Sequence, residues 1–283
     1  MSGSNPLERC LLHEHDAMNT TFTLRVLDMN EHDARGLAWQ CFDRIDALEG
    51  KLSRFIEGSD ISRINAMKAG ETLYLNEDSH ACLLLAMKAA AATHGLFDVT
   101  QGARIQHRKD GLSGNEPEVC GRLLVHPDNP AVTCEVAGRQ IDLGGIGKGF
   151  ALDCLREILE QWKVSAALVC AGASSMLGYG PVAWPVEFPG SQQRVRLDLI
   201  SGGLSASGVE MQGSHLVHPW GDEAMPARPC ERVWVVADDA ASAEVWSTAL
   251  MLLDPVEMPE ALEGVAGLRE VHIQRDGAIE RVL

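Results

Sequence analysis

Ile141-Asp142-Leu143-Gly144-Gly145-Ile146-Gly147-Lys148-Gly149-Phe150 is the stretch on which the reading of the fold turns. A short apolar strand ends in a carboxylate, a glycine-rich turn follows, and a helix opens beside a lysine and runs to about Trp162. Such a turn suits a phosphate: backbone N–H groups converge, the helix start is positive, and no side chain blocks close approach. The same residues equally suit a tight strand-to-helix turn that binds nothing, and spacing alone leaves both readings open. It is not a Walker loop, because Gly149 stands where a Ser or Thr would hold Mg2+. Its glycine spacing also differs from the dinucleotide fingerprint of doubly wound folds.

Working outward, the elements on either side alternate in type without a regular strand–helix–strand beat. Phe22, Leu24 and Val26 fall on alternate positions of 20–27, the period of a half-buried strand. Leu37, Cys41, Ile45, Leu48 and Leu52 recur at helical spacing and give one apolar stripe, and the polar stretch 53–60 ends that helix. Asn76 is placed to cap a second helix, with Glu77 and Asp78 at its positive end and Gly95 where a left-handed C-terminal cap falls. Residues 107–121 are polar and glycine-rich and read as a mobile surface loop. Val132–Glu135 and Gln140–Leu143 read as a hairpin turning at Ala137-Gly138.

Further along, 165–170 reads as a buried strand, 172–189 as irregular, and 195–199 as alternating again. Val233–Ala237 reads as a strand, and Asp238 or Asp239 can cap the helix holding Ala241–Leu253. Asp276-Gly277 marks a tight hairpin between the last two strands. The mixture predicts an α+β protein rather than a doubly wound parallel sheet.

Composition narrows the function. The 283 residues carry 24 Lys+Arg against 40 Asp+Glu, a net charge of −16. Without a basic stripe, a nucleic-acid backbone or an anionic membrane surface is not an expected partner. No run approaches the roughly 20 apolar residues of a membrane span. The eight cysteines are scattered with no Cys-x-x-Cys pair, and read as buried thiols in a reducing compartment. Residues 1–16 are polar with no signal-peptide core, and Cys10 lies in no lipid-anchor context. The expectation is a cytoplasmic protein, or an exported one if the true start lies upstream.

The segment Asp-Leu-Gly-Gly-Ile-Gly-Lys-Gly-Phe-Ala-Leu-Asp at 142–153 closely resembles the signature of the FAD:protein FMN transferases, the ApbE-like family. Five further segments resemble the family in register. Ala17-Met18-Asn19-Thr20 matches its Met-Gly-Thr. Leu52-Ser53-Arg54-Phe55, with Ser59-Asp60-Ile61-Ser62-Arg63-Ile64-Asn65, matches its Ser-x-aromatic and Ser-x-Leu/Ile-Ser segments. Gly95–Gly102 matches Phe-Asp-Val/Pro-Thr-x-Gly. Ser207-Gly208, then His215-Leu216-Val217-His218-Pro219, resembles Ser-Gly followed by His-x-Ile/Val-Asp-Pro. Ala243–Leu250 stands where the family has Ala-Asp-x-x-x-Thr-Ala. Each piece is short, and the six occur in the family's order.

The resemblance implies a fold of mixed, largely antiparallel sheets packed with helices, with a single flavin transferase domain over 17–283 after an N-terminal tail of 1–16. It implies an enzyme that cleaves the pyrophosphate of FAD and attaches FMN through a phosphoester to a Thr or Ser of an acceptor flavoprotein, with Mg2+ required. Phosphoryl transfer of that kind is mostly positioning and charge neutralisation. By carry-over, Met18, Phe55, Phe97, Asp98, Asp142, Lys148 and Val217 contact FAD, and His215 is the base for the acceptor hydroxyl. Gly145 through its main chain, Glu244 and Thr248 would be the Mg2+ ligands; the latter two stand four residues apart on one helix face.

Several positions depart from the pattern, among them the glycine expected a few residues after Pro219, which is displaced to Gly221 or lost. His218 replaces an Asp, Glu244 replaces an Asp that is one methylene shorter, Gly172-Ala173-Ser174 replaces Gly-Gly-Asp, and Asn19 replaces a Gly. The alternatives they leave are a non-catalytic FAD-binding or flavin-delivery protein, or an FAD pyrophosphatase releasing FMN and AMP.

Overall fold

A computed structural model describes residues 5–112, 114–189, 194–208, 216–227 and 229–283. An eight-stranded sheet carries the fold. In spatial order its strands are β1 (Leu11–Ala17), β2 (Thr20–Val26), β6 (Ala167–Ala171), β7 (Ser175–Tyr179), β10 (Gly202–Gly208), β11 (Arg232–Ala237), β12 (Leu268–Arg275) and β13 (Ala278–Arg281). Every neighbouring pair in it is antiparallel. A small sheet orders β3 (Thr72–Tyr74), β5 (Ala131–Val136) and β4 (Arg122–Val125), and β8 (Trp184–Pro189) pairs with β9 (Arg194–Leu199) as a hairpin. The helices are α1 (Glu31–Leu52), α2 (Asp60–Asn65), α3 (Glu77–Ala92), α4 (Gly102–Lys109), α5 (Gly147–Cys154), α6 (Arg156–Gln161), α7 (Ala240–Leu250) and α8 (Met258–Leu262).

Period-two alternation sorts the central strands between two cores. In β6, Ala167, Val169 and Ala171 face the stripe of α1, while Leu168 and Cys170 face the hairpin's Trp184 and Phe188. In β11, Val233, Val235 and Ala237 pack toward α7, and Trp234 and Val236 join the hairpin side. A strand buried on both faces reads as an unbroken apolar run, so helices cover one side of the sheet and the β8–β9 hairpin covers part of the other.

Much of the punctuation expected from the sequence is present. Asn76 Oδ1 accepts from the Asp78 N–H at 3.0 Å, and Asp239 caps α7 through the Ser242 N–H at 2.6 Å. The α3 end is a Schellman motif: Gly95 N–H bonds Ala90 O at 2.7 Å and His94 N–H bonds Ala91 O at 3.2 Å. Asp276 and Gly277 both have positive φ, 48° and 76°, as a two-residue type I′ turn requires.

Several expectations are corrected. Residues 11–16 of the expected tail form most of edge strand β1, paired along its length with β2. Val132–Glu135 does not turn back on 140–143; β5 pairs with β3 and β4, and Gln140 bridges Gln101 instead. His107, Arg108 and Lys109 are the last turn of α4 rather than a loop. The irregular reading of 172–189 gives way to β7 and β8. All eight cysteines are free, with Cys120 exposed. Among the described residues, no helix is long and apolar enough to cross a membrane.

Candidate functional site

A cavity of about 700 Å3 opens where the β1–β2 turn, the end of α1, segment 96–99, α4, the 142–148 turn and α7 converge. That volume lies in the upper part of the range for small-molecule sites, about 300–1,000 Å3. Its rim begins with Met18 and Asn19, whose φ values are +49° and +58°. They are the two residues of the β1–β2 turn, since Ala17 still pairs with Thr20. Asn accepts the left-handed conformation readily, which explains how position 19 dispenses with glycine. Met18 is an unusual residue to hold there, and it lines the cavity, where backbone strain tends to collect.

The glycine turn works differently from a free phosphate cradle. Four of its amides are spent inside the protein. Gly144 N–H donates to Asp142 Oδ1 (2.8 Å), Ile146 and Gly147 N–H to Leu143 O (3.0 and 2.8 Å), and Gly149 N–H to Glu244 Oε2 (2.6 Å). The glycines serve close approach instead. A Cβ at Gly145 would lie 2.9 Å from the Phe97 ring, and one at Gly149 would lie 2.4 Å from Ala240 O. These bonds and contacts pack the turn tightly against its neighbours, and Gly144, Gly145 and Gly147 still line the cavity. Lysine side chains bring the positive charge.

Lys148 lines the cavity, and the buried Glu244 stands behind it. Lys148 Nζ lies 2.6 Å from Glu244 Oε1, with the carboxylate 5% exposed, and Ser175 Oγ approaches the same oxygen at 3.4 Å. Both carboxylate oxygens are therefore engaged, one by the lysine and one by the first turn of α5. Thr248 Oγ1 donates back to Glu244 O at 2.9 Å, which leaves its lone pairs available, and it lies 3.4 Å from where a Gly145 Cβ would stand. These oxygens suit a hard divalent cation in kind, and the ammonium already at Glu244 shows that the carboxylate is presented to positive charge. Among the described residues no three His, Cys, Asp or Glu side chains cluster as a metal site.

Asp142, 6% exposed, takes Arg54 Nη1 at 3.2 Å and Lys109 Nζ at 3.5 Å. Arg54 and Lys109 also stand over the ring of Phe55, at 5.7 and 5.9 Å from its centroid. Phe55 is 70% exposed, whereas Phe97 is buried beneath Gly145. Asp98 also lines the cavity, and it accepts from Thr100 N–H, Thr100 Oγ1 and Gln101 Nε2 at 2.7–2.8 Å, shaping the entry to α4. Val217 lines the cavity beside Leu216 and Pro219. His215 lies outside the described residues.

His218, at the position where the resemblance has an acid, is buried and accepts from Trp220 N–H through Nδ1 at 3.3 Å. Burial, and then the neighbouring Arg104 guanidinium, hold its imidazole below the usual histidine range, with Asp222 opposing them. It is neutral at pH 7, and no acid stands at this position.

Sequence reasoning passed over several residues that build the site. Asn65 clamps the strand before the turn, exchanging hydrogen bonds with Ile141 N–H (2.7 Å) and Ile141 O (2.9 Å). Asp153 receives the Ala240 and Ala241 N–H groups at 3.0 and 2.8 Å, capping α7 from α5. Both sit in segments already singled out, where a buried polar side chain at the end of a motif was the available signal. Arg54 and Lys109 carried no such signal, because only the fold brings them to Asp142.

The model of the ApbE family matches residues 18–271. An FAD:protein FMN transferase of Klebsiella pneumoniae (strain 342) is 24% identical over 97% of this chain and 87% of its own length, and one from Escherichia coli (strain K12) is 24% identical over 79% and 73%. The apo flavinyl transferase ApbE of Pseudomonas stutzeri superposes with a TM-score of 0.83 at 20% identity, covering 96% of this chain and 94% of that one. The ApbE protein of Thermotoga maritima gives 0.77 at 23% identity, over 96% and 97%. The fold is shared end to end, and with a family match over nearly the whole sequence, the chain belongs to the ApbE family.

Proposed function

We propose that this protein is an FAD:protein FMN transferase that binds FAD in the 700 Å3 cavity and passes FMN to a Thr or Ser hydroxyl of an acceptor flavoprotein. The observation that carries the reading is Lys148, which lines the cavity beside Thr248 and the glycine turn and is paired with the buried Glu244 behind it, bringing positive charge to where a diphosphate would lie. In the reaction the acceptor oxygen bonds to the FMN phosphorus, the bond from that phosphorus to the bridging oxygen breaks, and AMP leaves. The hydroxyl proton passes to His215, whose neutral imidazole suits that role near pH 7. Lys148 Nζ, with Lys109 at the rim, orients the diphosphate and offsets its charge. Phe55, Phe97, Met18 and Val217 supply apolar surface for the ring systems, and Asp142 fixes the turn and the two cations above it. Mg2+, held by the Gly145 main chain, Glu244 and Thr248, would neutralise charge on the diphosphate oxygens.

A second reading, an FAD-binding protein without transfer, draws on one feature: both Glu244 oxygens are already engaged. One experiment separates the two. Purified protein is incubated with FAD and Mg2+, with and without an acceptor bearing an exposed Thr, and mass spectrometry follows acceptor and AMP. An acceptor that gains FMN with AMP released only when Mg2+ is present supports the transferase. AMP without labelling favours hydrolysis, and FAD that stays bound and intact favours the binding protein.

A further inference from the structure

The cavity wall made by Leu216, Val217 and Pro219 belongs to no helix or strand. What holds it is α4. Arg104, 8% exposed, donates through Nη1 to His218 O at 2.8 Å and to Gln101 Oε1 at 3.3 Å, and through Nε to Glu116 Oε2 at 2.7 Å. One turn on, Arg108 donates to Leu216 O, to Asp222 Oδ1 and to Glu116 Oε1. Glu116 thus bridges the two guanidiniums from the 110–121 connection. Burial raises its carboxyl, but the hydrogen bonds from Arg108 and Arg104 outweigh that and hold it below the usual range. Two cations and two carboxylates, Glu116 and Asp222, close the cluster, so the arginines are satisfied without a ligand. Their rigid planar fork lets each reach a backbone carbonyl and a carboxylate along fixed, divergent directions, where lysine offers a compact point charge.

We infer that Arg104 and Arg108 are positioning residues for FAD: they clamp segment 216–222 onto α4 through the carbonyls of Leu216 and His218 and so set the cavity wall that the ligand meets. The inference rests on the FAD reading of the cavity. Neither arginine is among the residues that line the cavity, so their effect passes through the segment they hold and, for Arg104, also through Gln101, which does line it. The wall is pinned at two carbonyls two residues apart, and Val217 lies between them. Among the described residues its backbone bonds are Gly221 N–H to His218 O at 3.0 Å, followed by Ala224 N–H to Gly221 O and Met225 N–H to Asp222 O, each at 3.1 Å. A short turn of that kind opens locally unless something outside it holds it.

The test uses the full chain and two readouts. In the ligand-free protein, hydrogen exchange is followed at the amides of Gly221, Ala224 and Met225, with the β10 and β11 amides as internal reference. FAD affinity is measured by quenching of flavin fluorescence. Arg104→Met should speed exchange at the three amides at least tenfold, leave the reference amides unchanged, and weaken FAD binding about tenfold. Arg104→Lys should recover only part of either effect. Asp222→Asn, a change at an exposed side chain that leaves the fold intact, should give a smaller shift of the same sign in both. Unchanged exchange in Arg104→Met and Asp222→Asn overturns the clamp. Faster exchange with unchanged FAD affinity overturns its role toward the ligand. Wild-type protein that binds no FAD overturns the functional reading itself and the clamp's service to it. Wild-type protein that binds FAD without transferring FMN removes the transferase and leaves the clamp standing.

Discussion

Lys148 and Glu244 are a case in which one residue has two duties that a substitution can separate. Glu244 holds the ammonium with one oxygen and caps the first turn of α5 with the other. Removing the lysine takes away charge aimed at the developing phosphate, and losing one such donor costs about 10²–10³ in rate. Lys148→Met should therefore lower single-turnover AMP release by that factor; a rate within threefold of wild type would remove Lys148 from the chemistry. Glu244→Ala should instead lose stability as well, about 1–3 kcal/mol, because the Gly149 N–H is left buried without an acceptor. Glu244→Gln keeps an oxygen for that N–H and should recover most of the loss in urea unfolding. The extra methylene relative to aspartate thus has a visible use, spanning from α7 to the backbone of α5.

Between elements, α5 and α7 are laced in both directions. Glu244 of α7 caps α5, and Asp153 of α5 caps α7. Gly149 makes the lacing possible, since its missing Cβ is replaced by Ala240 backbone at 2.4 Å, where neither partner can yield. Gly149→Ala should cost about 1–3 kcal/mol by overpacking, and a midpoint in urea equal to wild type would show that the contact can relax. A separate pairing joins α1 to α3. Asp78 meets Arg44 at 2.6 Å and Lys51 at 3.0 Å, and its carboxyl falls from 3.8 to about 2, chiefly through the Arg44 hydrogen bond. A depressed folded value means stability that is present above pH 4 and lost as pH falls toward 2. Asp78→Asn should flatten the stability profile in that window, and parallel profiles for the two proteins would disprove the linkage. Elements like these were legible where side chains declare themselves, as the α1 stripe, Asn76 and Asp276-Gly277 did. Strand β10 was not, because Gly-Gly-Leu-Ser-Ala-Ser-Gly carries no apolar alternation. Its small residues answer to packing instead: a Cβ at Gly203 would stand 2.3 Å from Ala240 Cα. The candidate site divides the same way. Its 142–153 segment was readable as a motif, while Arg54, Lys109, Arg104 and Arg108 enter through contacts across 33 to 114 positions of chain that no local pattern records.

At the scale of the whole molecule, charge sets how an anionic dinucleotide arrives. The chain carries −16, and the cations near the cavity are not free to counter it. Arg54 and Lys109 both answer to Asp142, and Lys148 answers to Glu244, while Glu49 and Asp98 add further acid to the lining. The near field is therefore close to balanced, and the far field repels. Screening acts most on the far field, because the Debye length is about 30 Å at 0.01 M salt and about 8 Å at 0.15 M. The FAD association rate, followed by stopped-flow flavin fluorescence, should accordingly rise a few-fold between those ionic strengths. Dissociation, governed by buried contacts, should change less. An association rate that falls with salt would mean that the lysines and Arg54 act as an unpaired attractive patch. In that case the Lys148–Glu244 and Asp142 ion pairs are open in solution before the ligand arrives, and the floor of the cavity is charged rather than neutral when FAD enters.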